Sequence, residues 1–459
     1  MDSGRSKELG EKNITGLMWK FFWPAFIGVT VNALYNVVDR IFIGRGVGSL
    51  ALSGLSVVFP IMILVAAFGM LIGVGAGVRI SISLGKKEFN RAERVLGNSF
   101  ILMIIVGLVV TVIGFMIKTP MLRSFGANAE TIGYAQDYLN IILIGSVFQV
   151  VGFSLNNIIR SEGNPRNAMF SMIICSVVNV ILNPIFIFGL GMGVKGSALA
   201  TVISQFILMV WVILHFSSKR SVLKLRVSNM KLDRSIIWQI VTIGMAPFAM
   251  QIAGSLIQAT YNTQLIKYGA DVAVGAMGII NSVAILIVMA VISINMASQP
   301  IIGYNFGAEN YSRVRQTWNI GIKAGTIISI VAFILVELFP GSIIHLFNHD
   351  DPQLYEIGIH GLRIFLLMLP LVGFQVICSN YFQSIGKAKI SLFLTLLRQV
   401  IVLLPLLTFL PMYYGINGIW MASPISDFIS TCVVFIFFKI ERKKLHQLEM
   451  GLSSLRKSI

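Results

Sequence analysis

Apolar residues run in blocks of about 20 along the whole chain, separated by short polar stretches. Each block is long enough, as a helix, to cross a hydrocarbon core of ~30 Å. The pattern predicts twelve membrane-spanning helices, at about 16–43, 51–78, 98–117, 134–158, 168–189, 196–216, 237–266, 273–300, 317–339, 357–382, 391–410 and 418–438. Twelve buried helices of a soluble protein would need polar outer faces, and these blocks lack them. The expected fold is therefore an all-α membrane protein.

The polar residues inside the blocks carry the candidate chemistry. In the first span Asn32, Tyr35, Asn36 and Asp39 fall three to four residues apart, on one helical face. An acid within the membrane is costly and by default marks an ion or proton site. The fifth span carries Asn179 and Asn183 one turn apart, followed by Pro184, which frees a carbonyl one turn earlier. The sixth carries Ser197, Thr201, Ser204 and Gln205. Asp39, Asn179, Asn183 and Thr201 together offer an oxygen-rich pocket. Carboxylate, amide and hydroxyl oxygens suit Na⁺, and the carboxylate alone can carry H⁺. The competing reading of the Asn and Thr residues is interhelical hydrogen bonding, and pattern alone does not separate the two.

Stripes in the second half of the chain are neutral. Gln251, Ser255, Gln258 and Asn262 line one face of the seventh span, and Gln375, Ser379 and Gln383 run down the tenth. They fit a substrate cavity wall without a fixed charge, or plain helix packing. Arg363, Arg398 and Asp427 lie in or near spans. An Arg398–Asp427 pair between the last two spans is expected to be structural.

The two halves repeat. Gly85-Lys-Lys-Glu-Phe-Asn-Arg91 matches Gly307-Ala-Glu-Asn-Tyr-Ser-Arg313, Ser161-Glu-Gly163 matches Ser384-Ile-Gly386, and Gly193-Val-Lys-Gly196 matches Gly415-Ile-Asn-Gly418. The offsets are 222, 223 and 222 residues. Each half holds six spans, an even number, so both enter the membrane from the same side. The pattern predicts an N-terminal six-helix bundle (1–216), a basic cytoplasmic linker (217–236) and a C-terminal bundle with a short tail (237–459). A pseudo-two-fold along the membrane normal would relate them across a central cavity, with transport by alternating access. The chain contains no Gly-x-x-x-x-Gly-Lys-Ser/Thr loop, so an ion gradient or the substrate's own gradient must drive transport.

Charge is sparse but directional. Of 459 residues, 12% are charged, against about 25% in soluble domains. Of the 36 Lys and Arg, 26 fall on the tails and on alternate connections, five on the opposite connections and five within spans. This bias places both termini in the cytoplasm, with the chain multi-pass in a cell inner (cytoplasmic) membrane. The net charge of +17 then reflects topology and contact with anionic lipid rather than nucleic-acid binding. The first 15 residues are polar, and the apolar run that follows is too long for a cleavable leader. Cys175, Cys378 and Cys432 read as buried apolar residues. Gly73-Val-Gly-Ala-Gly77 lies in a span and reads as helix packing. His345-x-x-x-His349-Asp350-Asp351 has metal-like spacing, but reads as a solvated outer turn. No metal site is expected.

Several of these segments resemble the multidrug and toxic compound extrusion (MATE) family. They are Pro24 with Tyr35-Asn-Val-Val-Asp39 and Gly54…Phe59-Pro60; Arg160-Ser-Glu-Gly-Asn-Pro165; Asn179…Asn183-Pro-Ile-Phe-Ile-Phe-Gly189; and Gly196-Ser-Ala-Leu-Ala-Thr201. Gln299-Pro-Ile-Ile-Gly-Tyr-Asn-Phe-Gly307, Phe382-Gln-Ser-Ile-Gly-Lys387 and Arg398-Gln399 resemble its DinF/MepA-type branch. The resemblance implies export of lipophilic organic cations in exchange for H⁺ or Na⁺. It also implies a cation site at Asp39, Asn179, Asn183 and Thr201, cavity positions at Tyr138 and Asn156, and a hinge at Pro24. The chain departs at Asn183, where many relatives carry Asp. It also lacks the acids that the NorM branch has in spans 7 and 10; Gln251 and Cys378 lie in those regions. The expected protein is not an enzyme, uses no cofactor beyond the coupling ion and acts as a monomer among membrane lipids. The alternatives are a lipid-linked saccharide flippase, which would line its cavity with several Arg or Lys where these spans offer few, and, from another class, a membrane-embedded transferase, which would show clustered acids or a His in the membrane.

Overall fold

A hydrocarbon environment cannot satisfy backbone N–H and C=O groups, so spanning segments must bond internally. The computed structural model, which describes residues 4–347 and 351–457, is helical almost throughout, with no strand among the described residues. A short α1 (Gly4–Glu11) precedes six long helices: α2 (Ile14–Gly46), α3 (Ser49–Gly85), α4 (Phe89–Ser124), α5 (Ile132–Ser161), α6 (Pro165–Pro184) and α7 (Gly193–Ser217). Then come α8 (Arg234–Gly307), α9 (Tyr311–Leu338), α10 (Pro340–His345), α11 (Pro352–Phe365), α12 (Leu369–Ser384), α13 (Ala388–Leu396), α14 (Leu404–Tyr414) and α15 (Ile416–Lys457). Eleven segments are long and apolar enough to cross a membrane, and twelve when α11 and α12 count as one.

Three predicted spans take unexpected forms. The tenth is broken, with α11 and α12 bent by 47°. Pro370 sits in the first turn of α12, where it has no N–H to continue the ladder and its ring crowds the carbonyl one turn back. The seventh and eighth spans, Arg234–Gly269 and Val272–Gly307, share the continuous helical run of α8. Yet Asn281 Nδ2 donates to Gln258 Oε1 at 3.4 Å. In a straight helix these residues would stand about 34 Å apart. The run therefore doubles back on itself.

The sequence repeat is copied in the backbone. Lys87 and Glu309, at the same place in the two Gly-x-x-x turns, both take left-handed φ values, 62° and 57°. Each turn closes with a six-residue capping bond, Glu88 N to Ser83 O at 2.9 Å and Asn310 N to Asn305 O at 2.8 Å. This is the Schellman way of satisfying a helix's last carbonyls. Gly193 and Gly415 likewise share φ values of 57° and 55°.

The chain divides into two compact units, Met1–Lys12 with Trp23–Gln251, and Asn13–Phe22 with Ile252–Ile459. The division falls inside the seventh span rather than at the 217–236 linker. The start of α8 packs tightly on α3. A Cβ on Gly244 would stand 1.7 Å from the Leu71 carbonyl oxygen, and Phe68 meets Phe248 at 5.0 Å. The core of the first unit gathers Ile43, Leu55, Val58, Tyr138, Leu139, Ile142 and Ile187. That of the second gathers Tyr261, Leu265, Met277, Leu362, Leu407 and Trp420.

Candidate ion and substrate site

Asp39 lies three-quarters of the way along α2, with only 6% of its surface exposed. The Ser197 hydroxyl on α7 donates to its Oδ1. The Asn183 amide on α6 also faces the carboxylate. No ion pair to Asp39 occurs among the described residues; its neighbour Arg40 instead stacks on Phe59 at 4.5 Å. A buried acid with hydrogen bonds but no ion pair, with only the exposed Arg40 acting on it through space, retains much of its electrostatic demand.

The amides form a chain next to it. Asn183 Nδ2 donates to Asn179 Oδ1 at 2.9 Å and to the Asn179 carbonyl at 3.2 Å. Asn179 Nδ2 donates to Thr201 Oγ1 at 3.1 Å. All three residues are buried, and Asn183 Oδ1 has no hydrogen-bond partner. Tyr138, in the core on α5, lies beside Thr201 and within electrostatic reach of Asp39. The group thus draws on α2, α5, α6 and α7 of one unit. A buried amide oxygen with no donor is a strong place for a hard cation or a water.

The local backbone explains why these helices close here. Pro184 ends the regular ladder of α6, and Ile185–Gly189 continues as one wide π turn, with Leu190 N bonding Ile185 O at 2.9 Å. π turns of this kind concentrate at functional sites. Gly196 lets α7 approach that turn, since a Cβ there would stand 2.9 Å from the Phe186 backbone.

The remaining first-unit candidates are placed differently. Tyr35 is half-buried and within reach of both Asp39 and Cys175. Asn36 turns its amide back onto the Asn32 carbonyl at 2.7 Å, and Asn32 is half-buried on the same helix. Pro24 is buried, with α2 helical on both sides of it. Asn156 belongs to another network. Its Nδ2 donates to the Ala168 carbonyl and to Ser171 Oγ, each at 2.7 Å, and its Oδ1 accepts from Arg160 Nη2 at 3.0 Å. These bonds fasten α5 to α6 and lead away from the acid's group.

In the second unit the expected stripe is a set of amides. Gln258 is exposed; it donates to Asn262 Oδ1 at 3.2 Å and accepts from Asn281. Gln251 and Ser255 are half-buried on α8. Gln375 on α12 is buried, with its Oε1 lacking a hydrogen-bond partner. Arg398 and Asp427 do pair, Nε to Oδ1 at 2.6 Å. Among the described residues no three His, Cys, Asp or Glu side chains gather as a metal cluster. His349 and Asp350 of the outer-loop pattern lie outside the described residues. Ser197 is the direct partner of Asp39, whereas the site expected from sequence held Thr201, one turn along the same stripe. Only the shared stripe hinted at it.

Comparison with known proteins bears on the family and the fold. The MatE family profile matches residues 24–185 and again 247–408. The chain is 29% identical to the multidrug export protein MepA of Staphylococcus haemolyticus (strain JCSC1435), over 93% of this chain and 94% of that one. It is 26% identical to MepA of Staphylococcus aureus (strain MRSA252), over the same shares. Its fold matches the structure of the MATE multidrug transporter DinF-BH, with a TM-score of 0.88 and 37% identity, covering 94% of this chain and 98% of that one. It also matches an outward-facing multidrug resistance MATE transporter of the MOP superfamily, with a TM-score of 0.89 and 25% identity, covering 96% and 98%. A profile found twice, a fold shared end to end and a buried acid among oxygens in the first copy lead to one assignment: the chain is a multi-pass membrane protein of the MATE family of multidrug efflux transporters.

Proposed function

We propose that the protein exports lipophilic organic cations in exchange for H⁺ or Na⁺, which binds at Asp39. The observation that carries this reading is a buried carboxylate with no cationic partner among the described residues, set among the oxygens of Asn179, Asn183, Ser197 and Thr201. Such an acid must gain a positive charge to rest comfortably in the membrane. A proton, a sodium ion or a substrate cation can supply it, and competition among them is the minimum that exchange requires. An ion bound by Asp39, Asn183 and Thr201 bridges α2, α6 and α7. Its departure loosens that bridge. Pro24, which removes one backbone bond within α2, is the place for the helix to bend in response.

Asn183 in place of a second acid leaves one carboxylate in the group, so the site takes a single monovalent ion per cycle. The Asp39 group is complete within one chain, so the monomer is the transporting unit. Both termini face the cytoplasm, a placement that the distribution of Lys and Arg supports. MepA and DinF-BH are named for multidrug export and multidrug transport, and this supports a broad substrate range. The test is dye efflux from proteoliposomes with pH and Na⁺ gradients imposed separately. One of the two gradients should drive accumulation of a lipophilic dye cation in wild type and fail to do so in Asp39→Asn. Equal transport with no gradient, or with Asp39 replaced, overturns the proposal.

A further inference from the structure

The second unit holds a charge that the cation reading does not use. Arg398 stands ten residues into the span Ala388–Tyr414, which puts it about 15 Å from that helix's start, near mid-membrane. It lies in the wide π turn Leu397–Leu403, and the Ser426 hydroxyl holds its carbonyl at 2.7 Å. Its Nε donates to Asp427 Oδ1 at 2.6 Å. A guanidinium carries five N–H groups. Asp427 takes one of them from the side and leaves the terminal Nη1 and Nη2 groups without a partner among the described residues. The Asp427 side chain is 6% exposed and that of Arg398 30%. An arginine at this depth does not face lipid; it faces the protein interior or a watered cavity. Beside the pair, Tyr261 is 3% exposed, and its hydroxyl makes no hydrogen bond in normal geometry, although it faces Ser423 and Asp427.

We propose that Arg398 is a substrate-binding residue: its free Nη groups, with the Tyr261 hydroxyl, receive the carboxylate of lipophilic substrates that carry an acid as well as a cation. This rests on the cation-efflux reading above and adds to it the residue that reads an acid group where a substrate carries one. The second unit thus presents a guanidinium with four unspent donors. Asp427 holds the guanidinium plane by its Nε edge, so the Nη edge is pre-oriented and loses little freedom on binding.

The test uses full-length protein in nanodiscs and a matched dye pair, a rhodamine free acid (zwitterion) and its ethyl ester (cation), with binding followed by fluorescence polarisation. The readout is the ratio of acid to ester affinity. Arg398→Gln alone strands a buried acid, so the decisive variant is Arg398→Gln with Asp427→Asn, which removes both charges and keeps amides at both positions. The ratio should fall about tenfold or more, as expected for loss of a hydrogen bond to a charged group. Asp427→Asn alone keeps an amide oxygen to accept from Nε and so to hold the guanidinium plane, while it removes the competing charge, and should leave the ratio at or above the wild-type value. Equal weakening of acid and ester in the double variant overturns the proposal, and so does a fall in the ratio with Asp427→Asn alone. Failure of wild type to bind the acid overturns it too. Failure of wild type to bind the ester, with the acid still bound in an Arg398-dependent way, overturns the cation reading instead.

Discussion

The two units share a scaffold and differ in how they handle charge. The family profile begins at residue 24 in one half and at 247 in the other, so Asp39 corresponds to Asn262. The stripe Asn32, Tyr35, Asp39 becomes Ser255, Gln258, Asn262. In the first unit an acid is buried with hydroxyl and amide partners and no cation among the described residues. In the second, the corresponding amide is exposed and bonded to Gln258, and the buried acids Asp427 and Glu441 are neutralised by Arg398 and Lys387. Duplication preserved the parts that lipid dictates: the spans, the left-handed turns at Lys87 and Glu309, and the capping bonds. It did not preserve the sign or the pairing of buried charge. An exchanger needs one acid that changes partners, and a paired acid is a poor candidate, because removing its partner costs several kcal/mol.

The largest effect should come from erasing the difference. Asp39→Asn keeps the shape and removes the charge, and gradient-driven efflux should fall to background while the protein still inserts and elutes as wild type. Coupled efflux that persists in this variant would remove the first unit from its assigned role.

The next variant strengthens the contrast. Asn183→Asp adds a carboxylate facing Asp39, and two acids at one site repel. A proton-driven exchanger should then work to higher pH, and a sodium-driven one should bind Na⁺ more tightly. Efflux measured against pH at fixed Na⁺, and against Na⁺ at fixed pH, separates the two. If neither curve moves, Asn183 lies outside the ion site.

Ser197→Ala should be milder. It removes one hydrogen bond to a charged acceptor, worth about 1.5–3 kcal/mol, so the concentration of the coupling ion at half-maximal efflux should shift by about tenfold or more. A maximal rate that falls with no shift in ion dependence would make Ser197 a packing residue only.

Asn262→Asp should do least. It places an acid at the position matching Asp39, but near the end of its span and exposed among amides, so the cost should stay below the ~2.5–3.5 kcal/mol of an acid at mid-membrane, and no new ion dependence should appear. Gain of a second coupling ion would show that the scaffold alone makes the site.

Much of this was legible in the sequence because the bilayer leaves few choices. A block of apolar residues must be a helix there, and an acid within it must have a reason. Asp39, the Asn179–Asn183 turn and the Arg398–Asp427 pair follow from those two rules and from i, i+4 spacing. What the sequence hid is what depends on rotation and register. Ser197 and Thr201 share one stripe, and spacing cannot say which of them meets Asp39. Asn156 is as polar and as deeply placed as Asn179, yet it faces Ala168 and Ser171. The break before α12 turns on Pro370, a residue type that other spans accommodate without breaking, as α2 does at Pro24 and α3 at Pro60. The division between units falls within α8, between Gln251 and Ile252, where no charge or hydropathy pattern marks it.

The central claim is that the coupling charge is carried by Asp39 alone. The most direct measurement counts ions released by purified protein when a lipophilic dye cation binds, using a pH indicator for H⁺ and radiolabelled sodium for Na⁺. A single ion per chain should leave wild type on dye binding, and none should leave Asp39→Asn. Release of an ion from Asp39→Asn, or of two ions from wild type, would contradict it.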